Sequence, residues 1–179
     1  MSKKVLIISS SLRADSNSDA LAQAFAEGAR TAGSEVELVR LAGKTLGFCR
    51  GCLACQKTGR CVIRDDGDVI AQKMLRADVL VFATPVYYYG MSGQLKTLLD
   101  RANPLFASDY AFRDVYLLCT SADEGADASD GTRAGIECWL SCFGRARLAG
   151  CVHGAGVDAP GAIAGSAALD EARALGARA

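Results

Sequence analysis

Short apolar-rich runs recur along the chain at Val5 to Ile8, Val36 to Leu41, Val79 to Ala83, Val115 to Cys119 and, more weakly, Leu148 to Val152. Runs of this length read as strands buried on both faces. Between them apolar residues return at helical spacing. One stripe carries Leu21, Ala24, Phe25 and Gly28, a second Met91, Leu95, Leu98, Leu99 and Ala102, and a third Ile136, Trp139, Leu140 and Phe143. A further helix is expected to start near Asp66 and cover Ile70, Met74 and Ala77, and a last one to cover Ala168 to Leu175. Alternating strands and helices predict an α/β protein with a parallel sheet and helices on both faces.

Five such strands suggest a flavodoxin-like five-stranded parallel sheet of order 2-1-3-4-5, whose ligand site lies at the carboxyl ends of the strands. The 179 residues suit a single domain, 1–179, with a cysteine-rich, insertion-like loop at about 45–64. Residues 154–167 are Gly/Ala-rich and read as an ordinary loop.

Charge narrows the partners. Twenty Lys and Arg balance twenty Asp and Glu, with no basic run, so neither nucleic acid nor a membrane surface is suggested. The first apolar run stops at Ser9, too short for a signal-peptide core or a membrane span, and the expected location is cytoplasmic. Reducing cytosol disfavours structural disulfides. Cys119, Cys138, Cys142 and Cys151, scattered among apolar residues, read as buried inert thiols.

Two loops carry candidate binding chemistry. Ser9 to Ser18, after the first strand, is crowded with hydroxyls and includes Arg13 and Asn17. Backbone N–H groups at a helix start favour an anion by about 0.3–1 kcal/mol, so several donors must converge to hold a phosphate. The plain alternative is a helix cap by Ser16, Asn17 or Ser18. After the third strand, Thr84-Pro85-Val86-Tyr87-Tyr88-Tyr89-Gly90 offers aromatic faces and backbone to a flat ring, with Pro85 stiffening the exit and Gly90 permitting an unusual turn. A phosphate at one loop and a planar ring at the other describe a mononucleotide, and FMN fits such a sheet. Thr120 and Ser121 complete the wall, and Asp123 to Gly131 is expected to be a mobile surface loop.

Cys49-x2-Cys52-x2-Cys55-x5-Cys61 packs four thiols into thirteen residues. Thiolates this dense call for a cation, protons or disulfides between them. Tetrahedral zinc prefers two separated knuckles, whereas here Cys52 belongs to two overlapping CxxC steps, a pattern that favours a polynuclear cluster. Gly59 would make the turn to Cys61, and Arg50, Lys57 and Arg60 would offset the cluster's charge. His153 stands alone, which argues against a His-dependent hydrolase, and reads as a surface residue.

With these residues in view, the chain resembles the flavodoxin-like NADPH-dependent FMN reductases and, within them, the iron-sulfur flavoproteins. The likeness rests on Ser11-Leu12-Arg13 with Ser16-Asn17-Ser18, on Thr84 to Tyr88 with Gly90-Met91-Ser92-Gly93, Lys96 and Asp100-Arg101, and on the four cysteines followed by Asp65-Asp66. It runs from residue 4 to about residue 103. Ser10 and Leu12 replace the family's usual glycine and proline.

The resemblance implies an FMN oxidoreductase or electron-transfer protein. The FMN phosphate would lie on Ser11, Arg13, Ser16, Asn17 and Ser18, and the ring against Pro85 to Tyr89. A 4Fe-4S cluster would be held by Cys49, Cys52, Cys55 and Cys61. The electron donor would be NAD(P)H or a ferredoxin-like protein, no catalytic side chain is required, and assembly would be a homodimer or homotetramer. A cluster-free NAD(P)H-dependent FMN or quinone reductase would use the same flavin residues, leaving redox thiols in the loop. A structural zinc-binding module would leave the Ser-rich and Tyr-rich loops without a purpose. A receiver-type signalling domain would need carboxylates where Ser9, Ser10 and Ser11 stand.

Overall fold

The computed structural model describes residues 2–179. In chain order the elements are β1 (Lys4–Ser9), α1 (Asn17–Thr31), β2 (Glu35–Arg40), α2 (Ala54–Thr58), α3 (Asp66–Arg76), β3 (Val79–Tyr87), β4 (Gly90–Met91), α4 (Gly93–Arg101), β5 (Asp114–Thr120), α5 (Asp130–Leu140), β6 (Arg147–Gly154) and α6 (Ala167–Gly176). The sheet runs β2-β1-β3-β5-β6, all parallel, and the two-residue β4 pairs antiparallel with the end of β3. Setting β4 aside, this is the expected 2-1-3-4-5 order.

The continuous apolar runs divide between two cores. Leu6, Ile8, Leu80, Phe82, Val115 and Leu117 face one side, against α3, α4 and α5. Val5, Ile7, Val79, Val81, Tyr116 and Leu118 face the other, against α1 and α6. Alternate side chains of a strand point to opposite faces, so a strand covered on both must be apolar throughout. Each such Val, Leu or Ile contributes about 1.5–3 kcal/mol by leaving water.

Four expectations are corrected. β2 is an edge strand buried on neither face throughout: Glu37 and Arg40 point outward and pair with Lys73 and Asp19, charges that discourage edge pairing. Met91 lies on β4, because Ser92 caps α4 by accepting from the Leu95 N–H and starts the helix after it. Asp123 to Gly131 is built into a 3-10 turn at Ala126–Ser129 and the start of α5, with Ala128 and Ser129 buried. Cys138 and Cys142 are exposed, while Cys119 is buried as expected. Among the described residues no helix is long and apolar enough to cross a membrane.

Candidate functional site

The loops after β1, β2, β3 and β5 all leave the carboxyl edge of the sheet, where open α/β sheets bind ligands. Ser11, Arg13, Ser16 and Asn17 from the first loop meet Pro85, Val86 and Tyr87 from the end of β3, with Thr120 after them, around one cleft of about 160 Å³. The two loops that the sequence singled out therefore face each other. A larger hollow of about 510 Å³ lies over the starts of β1 and β2 and one face of α3, at the opposite end of the strands, and gathers none of the predicted flavin-binding or metal-ligating residues.

Within the first loop, Ser16 is the cap of α1, accepting from the Asp19 N–H at 3.3 Å and lying 3.1 Å from the Ser18 hydroxyl. Arg13 donates Nη1–H to the Asp158 carbonyl at 2.6 Å, the only bond of its guanidinium among the described residues, and its backbone N–H to Ser11 Oγ at 3.3 Å; it lines the cleft with the other guanidinium donors unspent. Asn17 is more fully spent. Its amide donates to the carbonyls of Val157 and Ala159 at 3.0 and 2.9 Å and accepts from the Ile163 N–H at 3.2 Å. The expected phosphate contact from this side chain is thereby replaced by a structural one that ties residues 157–163 beside the cleft. Val157, Asp158 and Ala122 also line it, and the plain Gly/Ala-rich sequence around the first two gave no sign of this.

Ser9, Ser18 and Thr84 lie beneath the cleft, each buried. The Thr84 hydroxyl donates to the Pro85 carbonyl and accepts from the Ser92 N–H, so it positions the β3 exit and has no proton left for a ligand. Ser9 Oγ is buried and, among the described residues, has no hydrogen-bond partner.

The tyrosines form a hairpin. Tyr87 pairs with Gly90, and the two residues between, Tyr88 and Tyr89, have φ of 50° and 61°. Positive φ at both central positions matches the twist of a two-residue hairpin, and a bulky residue there costs energy that the surroundings must supply. The strain thus sits on Tyr88 and Tyr89, and Gly90 has an ordinary φ, contrary to the expected role of that glycine. Support comes from α5: a Cβ on Gly131 would lie 2.3 Å from the Tyr89 carbonyl oxygen, so only glycine lets the helix press against the hairpin. Tyr88 is fully exposed and Tyr87 and Tyr89 half-exposed, with the Tyr89 hydroxyl donating to Asp123 at 3.1 Å.

Ser121 faces away from the cleft lining and binds His153. Its single hydroxyl proton goes to the Asp123 carbonyl at 2.7 Å, so at the 2.7 Å contact with His153 the imidazole Nε2–H is the donor. Burial holds the His153 pKa below its ordinary value, against the opposing charges of Asp123 and Asp130. This is a partly buried, bonded histidine, not the surface residue expected.

All four clustered cysteines line a second cavity of about 360 Å³, together with Arg101 and Asn103. Cys49 and Cys52 are exposed, Cys55 and Cys61 buried. Left-handed backbone at Gly51, Leu53 and Gly59 winds the loop round the cavity, with α2 spanning Cys55 and Gly59 making the expected turn. Two sulfurs already accept hydrogen bonds: Cys55 from Asn103 Nδ2–H at 3.1 Å and Cys49 from the Gly51 N–H at 3.5 Å. Among the described residues no three His, Cys, Asp or Glu side chains gather round a point that could hold one metal ion. A cubane does not need such a trio, since each thiolate binds its own iron.

The first turn of α3 anchors this loop. Asp65 caps the helix and accepts from the Gly47 N–H at 2.7 Å, Asp66 accepts from the Thr45 N–H, and Asp68 accepts from the Cys61 N–H at 3.0 Å. Bonds to Arg101 hold the Asp65 pKa at about 2 despite burial. Burial works to raise Asp68, but Arg60, the Cys61 N–H and Arg64 bring it below its ordinary value. Arg60, expected to offset cluster charge, is thus committed to Asp68 at 2.7 Å; the buried cation beside the sulfurs is Arg101.

The family model described as NADPH-dependent FMN reductase matches residues 3–172. An iron-sulfur flavoprotein of Methanocaldococcus jannaschii is 42% identical over 102 residues, a stretch covering 57% of this chain and 53% of that protein, so the match spans about half of either length. Among solved structures, an NAD(P)H:quinone oxidoreductase from Methanothermobacter marburgensis superposes with a TM-score of 0.75 at 19% identity, over 99% of this chain and 96% of the other. An FMN-dependent NADH-azoreductase from Bacillus anthracis in complex with FMN gives 0.67 at 15% identity, over 98% of each chain. At these identities the two structures establish a shared fold.

Proposed function

This chain belongs to the NADPH-dependent FMN reductase family, and from that premise we propose that it is an NAD(P)H-dependent FMN oxidoreductase that also carries a 4Fe-4S cluster on Cys49, Cys52, Cys55 and Cys61. The observation that carries the flavin assignment is the single cleft shared by the Ser11–Asn17 loop and the Pro85–Tyr87 exit. Bound FMN supplies hydride acceptance in two-electron steps and release in single electrons, and a cluster supplies single-electron transfer.

The chain's own residues do the positioning. Arg13 and the N-terminus of α1 hold the phosphate, Ser11 and Ser16 add hydroxyls, and the hairpin at Tyr87–Tyr89 presents aromatic surface and backbone to the ring. Ser9, Ser18 and Thr84 support this surface from below, and Thr120 closes the wall. Ser121 takes its place through His153. The overlapping Cys49-x2-Cys52-x2-Cys55 spacing and the four cysteines lining one cavity support a cluster over a zinc module.

The donor is a reduced nicotinamide or a ferredoxin-like protein, the assembly a homodimer or homotetramer, and the location cytoplasmic. Titration of FMN into flavin-stripped protein, followed by anoxic addition of NADPH or NADH, tests the reading. One FMN bound per chain and bleached by reduced nicotinamide is expected. A chain that binds no FMN overturns it.

A further inference from the structure

We propose that Arg101 and Asn103, at the end of α4, are the hydrogen-bond donors that position the two buried cysteines and raise the reduction potential of the group they hold; this rests on the cluster reading above. Arg101 is the largest fully buried side chain among the described residues, with no exposed side-chain surface. A guanidinium has five N–H donors. Four are spent. Nη1 donates to the Gly47 carbonyl at 2.7 Å and to Asp65 Oδ2 at 2.8 Å, and Nη2 donates to the Ile63 carbonyl at 2.9 Å and to Asp65 Oδ1 at 2.7 Å.

Gly47 and Ile63 flank the cysteine segment two residues outside Cys49 and Cys61, so one guanidinium ties both ends of the loop. The fifth donor, Nε–H, is buried and has no partner among the described residues. An unsatisfied buried donor destabilises a fold, and one kept beside a cavity of sulfurs has an acceptor within its surroundings when those sulfurs are charged ligands. Arg101 lines that cavity, and Cys61 is among the groups that keep it cationic.

Cys61 Sγ is the acceptor this leaves. As a thiol it is a weak acceptor; as a charged ligand it takes the Nε–H in a charge-assisted bond. Asn103, two residues on, already makes the equivalent bond to Cys55 Sγ at 3.1 Å. The segment 101–103 thus feeds one N–H to each of the two buried sulfurs, while the exposed Cys49 and Cys52 can draw on water. Donors to ligand sulfur stabilise the more negative, reduced state and so raise the potential. Because Asp65 neutralises the guanidinium, the directed N–H is what reaches the sulfur.

The test uses full-length protein reconstituted anoxically with iron and sulfide, with midpoint potentials from redox titration followed by electron paramagnetic resonance. Asn103→Ala leaves the Arg101 clasp intact, and Arg101→Lys keeps the charge but loses the fork. Each variant that retains wild-type iron is expected to show a lower potential, with FMN affinity unchanged. Wild-type iron and an unmoved potential in Asn103→Ala overturn the donor role, whether or not Arg101→Lys folds. Wild-type protein that takes up no iron overturns the cluster, and this role with it.

Discussion

Arg101 and Asp65 join helix α4 to the cap of α3 through two parallel bonds of 2.7 and 2.8 Å, buried beneath the cysteine loop. Removing one partner of a buried pair leaves the other charge uncompensated, at a cost of roughly 3–5 kcal/mol. Asp65→Asn is therefore expected to lower stability by this amount in urea unfolding. A loss under about 1 kcal/mol would show that the pair is not what closes the loop.

The same pair sets an acid limit. Asp65 titrates at about 2 in the folded chain against 3.8 ordinarily, so its stabilisation is fully present above pH 3.8 and is lost as pH falls from there toward 2. Unfolding free energy measured between pH 5 and 2 should fall more steeply for the wild type than for Asp65→Asn. Parallel curves would assign acid sensitivity elsewhere.

Arg13 is the one guanidinium lining the cleft among the described residues, and the proposed holder of the FMN phosphate. Losing a charge-assisted bond of about 1.5–3 kcal/mol corresponds to about a ten- to hundredfold rise in Kd. Arg13→Ala should show that rise in FMN titration with little change in melting temperature.

Gly131→Ala places a methyl 2.3 Å from the Tyr89 carbonyl. Relief requires α5 or the hairpin to move, at about 1–3 kcal/mol. Because the hairpin is the strained, exposed partner, the expected readout is weakened FMN binding with the sheet intact by circular dichroism. Unchanged FMN affinity would detach the hairpin's position from the flavin.

His153 is the only histidine in the chain, so its proton resonances are unambiguous. Burial lowers its pKa, so its contribution to stability is present above the ordinary value of 6.5 and is lost as pH falls through the lower folded one. Nuclear magnetic resonance titration should give a midpoint below 6.5 and an Nε2–H tautomer in the neutral form. A midpoint at or above 6.5 would contradict the bonded, buried placement.

Much of this fold was legible in the sequence, for a physical reason: a strand packed on both faces has no polar positions, so β1, β3 and β5 announce themselves. The two loops proposed to hold flavin stood out because hydroxyls or tyrosines cluster where a strand ends. Tertiary pairing was not legible. Arg101 and Asp65 stand out in the sequence only as separate parts of the family resemblance, since nothing local joins residues 36 positions apart. Likewise Asn17 looks like a ligand contact until the carbonyls of residues 157 and 159 are brought to it. The hairpin strain was assigned to Gly90 because glycine usually carries it, whereas packing against Gly131 places it on Tyr88 and Tyr89.

Metal and flavin analysis of anoxically purified protein decides whether Cys49, Cys52, Cys55 and Cys61 hold a 4Fe-4S cluster beside bound FMN. The predicted result is about four iron and four sulfide per FMN, with no zinc, and loss of iron but retention of FMN in Cys52→Ser. Bound FMN without iron, even after anoxic reconstitution, would contradict it.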